Sequence, residues 1–261
     1  MVKEQLKWLE VGEGGSRRPI AVRSSRGKAP GLFWLGGFKS DMRGTKAEAL
    51  AAHAGKNGRA CIRFDYSGPG ESGARFEDGT ISRWLEETIA VFEACAREPQ
   101  IVVGSSMGAW IALLLARALA GRSGKSARIA GLVLIAPAPD FTETLMWMEF
   151  SPETRREIEE KGMWLMPSAY GEEPYPITRA LIEDGRQHLL LDKPLEIGCP
   201  VRILQGVQDP DVPWRHALKL VSCLAQDDVV LTLVKDGDHR LSRSEDIERL
   251  LRTIDELAAA I

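Results

Sequence analysis

The pentapeptide Gly104-Ser105-Ser106-Met107-Gly108 follows the apolar run Ile101-Val102-Val103 and opens a helix pattern beginning at Ala109. A strand running straight into a helix through Gly-x-Ser-x-Gly is the setting of a nucleophile elbow. Glycines two residues to either side give the strained turn room and leave the central hydroxyl exposed. Ser106 is therefore the candidate nucleophile. The motif gains weight from its context, which calls for a strand before it, a helix after it, an acid and then a histidine downstream, and an oxyanion donor upstream.

Elsewhere short apolar runs alternate with helical patterns. Leu6 to Val11 and Pro19 to Val22 read as an antiparallel pair, Leu32 to Leu35 as a buried strand ending in Gly36-Gly37-Phe38, and Ala60 to Phe64 as the strand after an Ala-rich helix from Thr45 to Asn57. A helix from about Ile81 to Ala96 precedes the Ser106 strand, and the helix after it runs to about Ala120. Strands follow at Ile129 to Ala136, Val201 to Gln205 and Val229 to Val234, the last two trailed by helices near 213–224 and 244–260. Such β-α units imply an α/β fold with a mostly parallel eight-stranded sheet and helices on both faces, which binds ligands at the carboxyl ends of its strands.

The alternation stops between Asp140 and Ile197, where Phe141, Leu145, Met146, Trp147, Phe150, Trp164, Met166 and Tyr170 surround a charged helical run at Pro152–Lys161. So many large apolar residues must bury themselves on something, and the mouth above the sheet is the nearest surface. The expectation is a helical lid, residues 140–197, inserted after the sixth strand of one domain spanning 1–261. Trp147, Trp164 and Met166 are the residues expected to line an acyl pocket, while most of the others stitch the lid to the core.

A serine hydroxyl needs a base, and histidine titrates nearest neutrality. His53 sits in the Ala-rich helix, His188 in the lid and His216 in a helix, whereas His239 occupies the loop after the last strand, where the chain order Ser, acid, His places the base. The acid belongs in the loop after Gln205, and the spacing Gly206-x-x-Asp209-x-x-Val212-Pro213 selects Asp209 over Asp211. For the oxyanion, the amide of Met107 at the helix start and that of Phe38 in the Gly36-Gly37-Phe38 turn are the expected donors.

Asp65-Tyr66-Ser67-Gly68-Pro69-Gly70-Glu71-Ser72 lacks the Lys-Ser/Thr ending of a phosphate loop and the third glycine of a dinucleotide fingerprint, so it reads as a structural turn. No cluster has metal-ligand spacing, and neither a metal nor a cofactor is expected. The net charge of −3 with mixed signs gives no basic stripe, which argues against a nucleic-acid partner. Four scattered cysteines read as buried free thiols. The N-terminal residues are charged where a signal peptide needs an apolar core and show no mitochondrial presequence, and no run reaches membrane-spanning length, so the expected location is cytoplasmic.

Together these residues resemble the α/β-hydrolase superfamily across essentially the whole chain. Closer similarity lies in Cys61-Ile62-Arg63-Phe64-Asp65-Tyr66-Ser67-Gly68, Gly162-Met163-Trp164-Leu165-Met166-Pro167-Ser168, Val212-Pro213-Trp214 and Asp238-His239-Arg240. These segments resemble the abhydrolase subgroup described as mitochondrial palmitoyl-protein thioesterase and acyl-glucuronide esterase. The resemblance implies the triad Ser106, Asp209, His239 and a substrate whose acyl group is carried on a thiol or a sugar hydroxyl, on a small molecule or on a protein. Two departures stand out: Gly36 where many members have His, and Ala109 where a second Gly is common. The alternatives are a small-substrate carboxylesterase, an acyl-glucuronide esterase using Lys39, Arg43, Arg215 or Arg240 at the mouth, and a ligand receptor that has lost turnover.

Overall fold

In the computed structural model, which describes residues 4–120, 129–167, 174–224 and 228–261, the chain begins with strands β1 (Gln5–Val11), β2 (Arg18–Ser25) and β3 (Lys28–Leu35). Helix α1 (Thr45–Lys56), β4 (Arg59–Phe64), α2 (Ile81–Cys95), β5 (Gln100–Ser105), α3 (Met107–Ala120) and β6 (Ile129–Ile135) follow in alternation. After an insertion come β9 (Val201–Gly206), α6 (Trp214–Cys223), β10 (Val229–Val234) and α7 (Ser244–Ala260). The insertion itself carries α4 (Pro152–Lys161), β7 (Met163–Met166), β8 (Tyr175–Thr178) and α5 (Arg179–Gly185). Ser168 and Tyr170 lie outside the described residues.

The main sheet has eight strands in the order β1-β2-β4-β3-β5-β6-β9-β10. Only the β1–β2 and β2–β4 pairs are antiparallel. β5 is buried at every residue and lies between β3 and β6, with Val102 opposite Phe33 on one side and Leu132 on the other. Side chains alternate strictly across the strands. Val102, Leu132 and Leu134 join the core beneath α2, α3 and α6, while Ile101, Val103, Val133 and Ile135 join the one beneath α1 and α7. The helix after Ser106 starts at Met107, two residues earlier than its apolar pattern, and it is buried on nearly every side, as a helix over the middle of such a sheet must be.

The insertion expected to be a helical lid carries helices and also a pair of strands. Its charged helix α4 has the predicted bounds, with Ser151 Oγ accepting from Thr154 N at 3.2 Å, Pro152 in the first turn and Gly162 closing it at φ +81°. The apolar run after it pairs with β8 as an antiparallel two-stranded sheet. Exposed Met163 and Leu165 alternate with half-buried Trp164 and Met166, a period of two that a four-residue run hides. Thr142–Trp147 forms a π-helical turn. Asp140, held at φ +58°, accepts from Leu190 N at 2.8 Å and Leu191 N at 2.9 Å, so one buried carboxylate fastens the end of the insertion to its beginning.

The Asp65–Ser72 segment is a turn built around a buried carboxylate. Asp65 accepts from Met42 N and Glu71 N, each at 2.6 Å, and a Cβ on Gly70 would lie 2.1 Å from its Oδ2. Burial holds the Asp65 carboxyl above the usual range against those two bonds. Among the described residues no helix is long and apolar enough to cross a membrane.

Candidate active site

Ser106 sits between β5 and α3 in the left-handed region at φ +54°. A serine there is strained, and its surroundings hold it: the amide donates to the Ile135 carbonyl at 2.8 Å, and its carbonyl accepts from Ala109 N at 3.0 Å and Ala138 N at 3.3 Å. The flanking glycines are needed for close approach. A Cβ at Gly104 would lie 2.4 Å from the Gly108 carbonyl oxygen, and one at Gly108 would lie 2.2 Å from that of Leu35. The second contact joins the start of α3 to the turn after β3.

That turn, Gly36 to Ser40, is closed by Ser40, whose amide and hydroxyl both donate to the Gly37 carbonyl, at 3.2 and 2.9 Å. A Cβ on Gly37 would stand 3.5 Å from that of Ser106, so the turn lies directly against the serine. The Phe38 ring is set edge-on among Phe76, Trp84, Phe141 and Tyr175, with centroids 5.0 to 6.1 Å away. Phe38 and Met107 both line the cavity that Ser106 enters.

His239 lines the same cavity. Its Nδ1 lies 2.8 Å from Asp209 Oδ2. A carboxylate can only accept, so Nδ1 donates to it and Nε2 faces away from Asp209. Asp209 is buried and fully engaged. Its Oδ1 accepts from Asp211 N at 2.9 Å and Val212 N at 2.8 Å, and its Oδ2 also accepts from Gln205 Nε2 at 3.1 Å. Asp211 brings a third ligand atom within 4.8 Å of those of Asp209 and His239. The N–H donors already directed at both Asp209 oxygens suit a histidine-orienting carboxylate better than a metal ligand.

The other histidines have other partners. His53 meets Asp255 at 2.9 Å, His216 is buried with Nε2 2.7 Å from the Pro139 carbonyl, and His188 Nε2 lies 2.7 Å from Ser82 Oγ.

The cavity measures about 630 Å³, the size of a pocket for a small organic ligand. The insertion contributes a largely apolar part of the lining, with Phe141, Leu145, Met146, Phe150, Met166 and Tyr175, while Ser40, Asp41, Thr45, Lys46, Arg240 and Ser242 contribute polar groups. Of the three insertion residues expected in the wall, Met166 is there. Trp147 instead lies under two guanidinium groups, with the Cζ atoms of Arg186 and Arg155 at 5.0 and 5.7 Å from its ring, and Trp164 packs edge-on against Phe150 at 5.2 Å. Both tryptophans pack against the insertion's own small core of Ile158, Ile177 and Ile182, Trp164 from the inward face of β7 and Trp147 from the end of the π-helical turn. Of the cations expected at the mouth, Lys39 and Arg240 line the cavity, while Arg215 stacks on Trp214 at 4.5 Å.

Sequence reasoning missed Gln205 and Lys46. Gln205 Nε2 lies within hydrogen-bond distance of Asp209 Oδ2 and of the Gly206 and Val212 carbonyls; the available signal was an amide near the end of a mostly apolar strand. Lys46 gave no signal, since a lysine in a first helical turn reads as solvated.

Comparison with known proteins shows the family of the chain. The profile of the alpha/beta hydrolase family matches residues 29–253. The human protein named palmitoyl-protein thioesterase ABHD10, mitochondrial, is 37% identical over 239 residues, covering 91% of this chain and 76% of that protein. Its mouse counterpart is 38% identical, covering 91% and 78%. Among solved structures, a putative hydrolase from Agrobacterium vitis S4 superposes with a TM-score of 0.96 at 49% identity, covering 98% of this chain and 99% of that one. Alpha/beta hydrolase domain-containing protein 10 from mouse gives 0.84 at 35%, covering 97% and 98%. These relatives correct the expected cytoplasmic location, because the curated ones are mitochondrial proteins. Organelle addresses are themselves charged and amphipathic, so charge near an N-terminus does not argue for the cytosol.

Proposed function

The chain belongs to the alpha/beta hydrolase family and is a hydrolytic enzyme acting on ester or thioester bonds, and from that premise we propose a palmitoyl-protein thioesterase-like deacylase working through Ser106, His239 and Asp209. The observation that carries the reading is that Ser106 and His239 share one cavity while Asp209 holds the far side of the imidazole. Ser106 Oγ attacks the acyl carbonyl as His239 Nε2 takes its proton. The amides of Met107 and Phe38 receive the negative charge that forms on the carbonyl oxygen. The thiol leaves with the proton from His239, the acyl group stays as an ester on Ser106, and water activated by the same imidazole releases it. Asp209 stabilises the imidazolium at each transfer. The insertion acts as a lid whose apolar wall receives the acyl chain.

Initial rates of wild type and Ser106→Ala on matched p-nitrophenyl and S-acyl substrates, from acetyl to palmitoyl, test this. The expected result is a preference for long-chain thioesters that falls at least about a thousandfold in the variant. Ser106→Ala turning over at the wild-type rate would refute the mechanism. Rates highest on acetyl and collapsing beyond butyryl would leave the nucleophile in place and favour a small-substrate carboxylesterase.

A further inference from the structure

Lys46 has no part in the chemistry described so far. It is the second residue of α1, half-buried and lining the cavity. A cation in the first turn of a helix works against the helix dipole, so α1 gains nothing from its charge. The side chain nevertheless reaches across to the loop after β10. Its Nζ donates to the Arg240 carbonyl and, at 3.3 Å, to Ser242 Oγ. Arg240 directly follows His239.

That loop is tight and is held at two places. At its start, Gln208 N donates to the Gly237 carbonyl at 2.9 Å, and the Gly237 oxygen lies so near Gly206 that a Cβ there would be 2.4 Å from it. At its end, Leu241 sits at φ +42° with its amide on Asp238 Oδ1 at 2.9 Å, and Ser242 Oγ donates to the Arg240 carbonyl at 2.9 Å. Lys46 ties this end to α1, a separate element of the fold.

We propose that Lys46 is a positioning residue for the hydrolysis: by holding the Arg240 carbonyl it fixes the loop that carries His239, and with it the reach from His239 Nε2 to Ser106. The inference rests on the assignment of His239 as the base. Burial, with help from Arg240, lowers the Lys46 pKa to about 8, against the opposing pull of Asp238 in the loop and Asp246 in α7. His239 lines the same cavity. Near neutrality the tie is thus a charge-assisted bond, and it weakens as pH rises past 8 and the ammonium loses its proton.

The test compares kcat and KM for wild type, Lys46→Met, Lys46→Arg, Ser242→Ala and His239→Ala from pH 6 to 10, with spontaneous hydrolysis subtracted. Lys46→Met keeps the length of the stem and removes the donor. It should lower kcat about tenfold or more with KM within twofold, as expected when a reacting group is misplaced rather than removed. Wild-type kcat should decline above pH 8, whereas Lys46→Arg should recover most of kcat and hold it to about pH 10, because a guanidinium stays charged. Ser242→Ala should cost about twofold to threefold in kcat; should Lys46→Met not fold, this variant and the Lys46→Arg profile carry the test. A Lys46→Met kcat within twofold of wild type, a loss confined to KM, or a Lys46→Arg profile with the wild-type alkaline limb would each overturn the proposal. Activity surviving in His239→Ala would instead overturn the assignment of the base.

Discussion

Ser106 holds a backbone conformation that costs a serine free energy, and the price is met by contacts that only glycine permits. The carbonyls of Leu35 and Gly36 lie 2.2 and 2.5 Å from where a Cβ on Gly108 would be. Gly108→Ala should therefore push the Gly36–Ser40 turn away from Ser106. Thermal unfolding should register an overpacking loss of about 1–3 kcal/mol. On the residual folded enzyme kcat should fall about tenfold or more, since the Phe38 amide moves with the turn. A variant with full kcat would show that the turn does not serve the oxyanion. At this scale the candidate site was legible wherever chemistry restricts the residue type. Few side chains can act as nucleophile, base or acid, and the chain offers four histidines. Gln205 and Lys46 were illegible because an amide or an ammonium takes its role from what lies opposite it.

At the scale of elements, period and punctuation located the strands and helices, and the antiparallel start at β1 and β2 was evident from its short turn. The fastening of that edge to the helical layer was not. Arg18 of β2 is buried and donates to Glu87 of α2 at 2.5 Å and to Glu86 at 2.7 Å, while the second oxygen of Glu87 accepts from Ser67 N at 2.9 Å. Removing one member of such a buried pair strands the other. Glu87→Ala should cost about 3 kcal/mol in denaturant unfolding, with kcat per folded molecule unchanged because the pair lies outside the cavity wall. Stability within 1 kcal/mol of wild type would mean that Glu86 alone satisfies the guanidinium. The hairpin of β7 and β8 was read as part of a helical lid because four apolar residues suit either period, and the partner strand that decides the matter comes nine residues later.

Across the whole molecule, burial sets a pH dependence. His188 and His216 are both held below the ordinary histidine value of 6.5, chiefly by burial, against the opposing pull of Asp184 on the first and the Pro139 carbonyl on the second. A base depressed in the folded state takes up its proton more readily when unfolded, so stability falls as pH drops through 6.5 toward the folded values. Asp65 and Asp140 are raised by burial from 3.8. They act in the opposite sense, adding stability at acid pH that is lost as pH rises through their folded values. Between about pH 7.5 and 6 the histidines should dominate, and the unfolding midpoint should fall on acidification. His188→Gln and His216→Gln together keep polar groups in place but cannot take up the proton, so they should remove at least half of that fall. An unchanged slope would show that neither histidine is the source.

By itself the sequence determined the alternation of strands and helices, the elbow at Ser106 and the chain order in which Asp209 and His239 follow it, because periodicity and residue chemistry are local properties that survive without neighbours. Tertiary structure alone decided that Trp147 and Trp164 turn toward the insertion's own core, that Asp140 fastens the insertion's two ends, and that Lys46 reaches the loop of His239 across 194 residues of chain. Contacts of that separation depend on how elements pack, and packing is a property of surfaces the linear pattern does not contain.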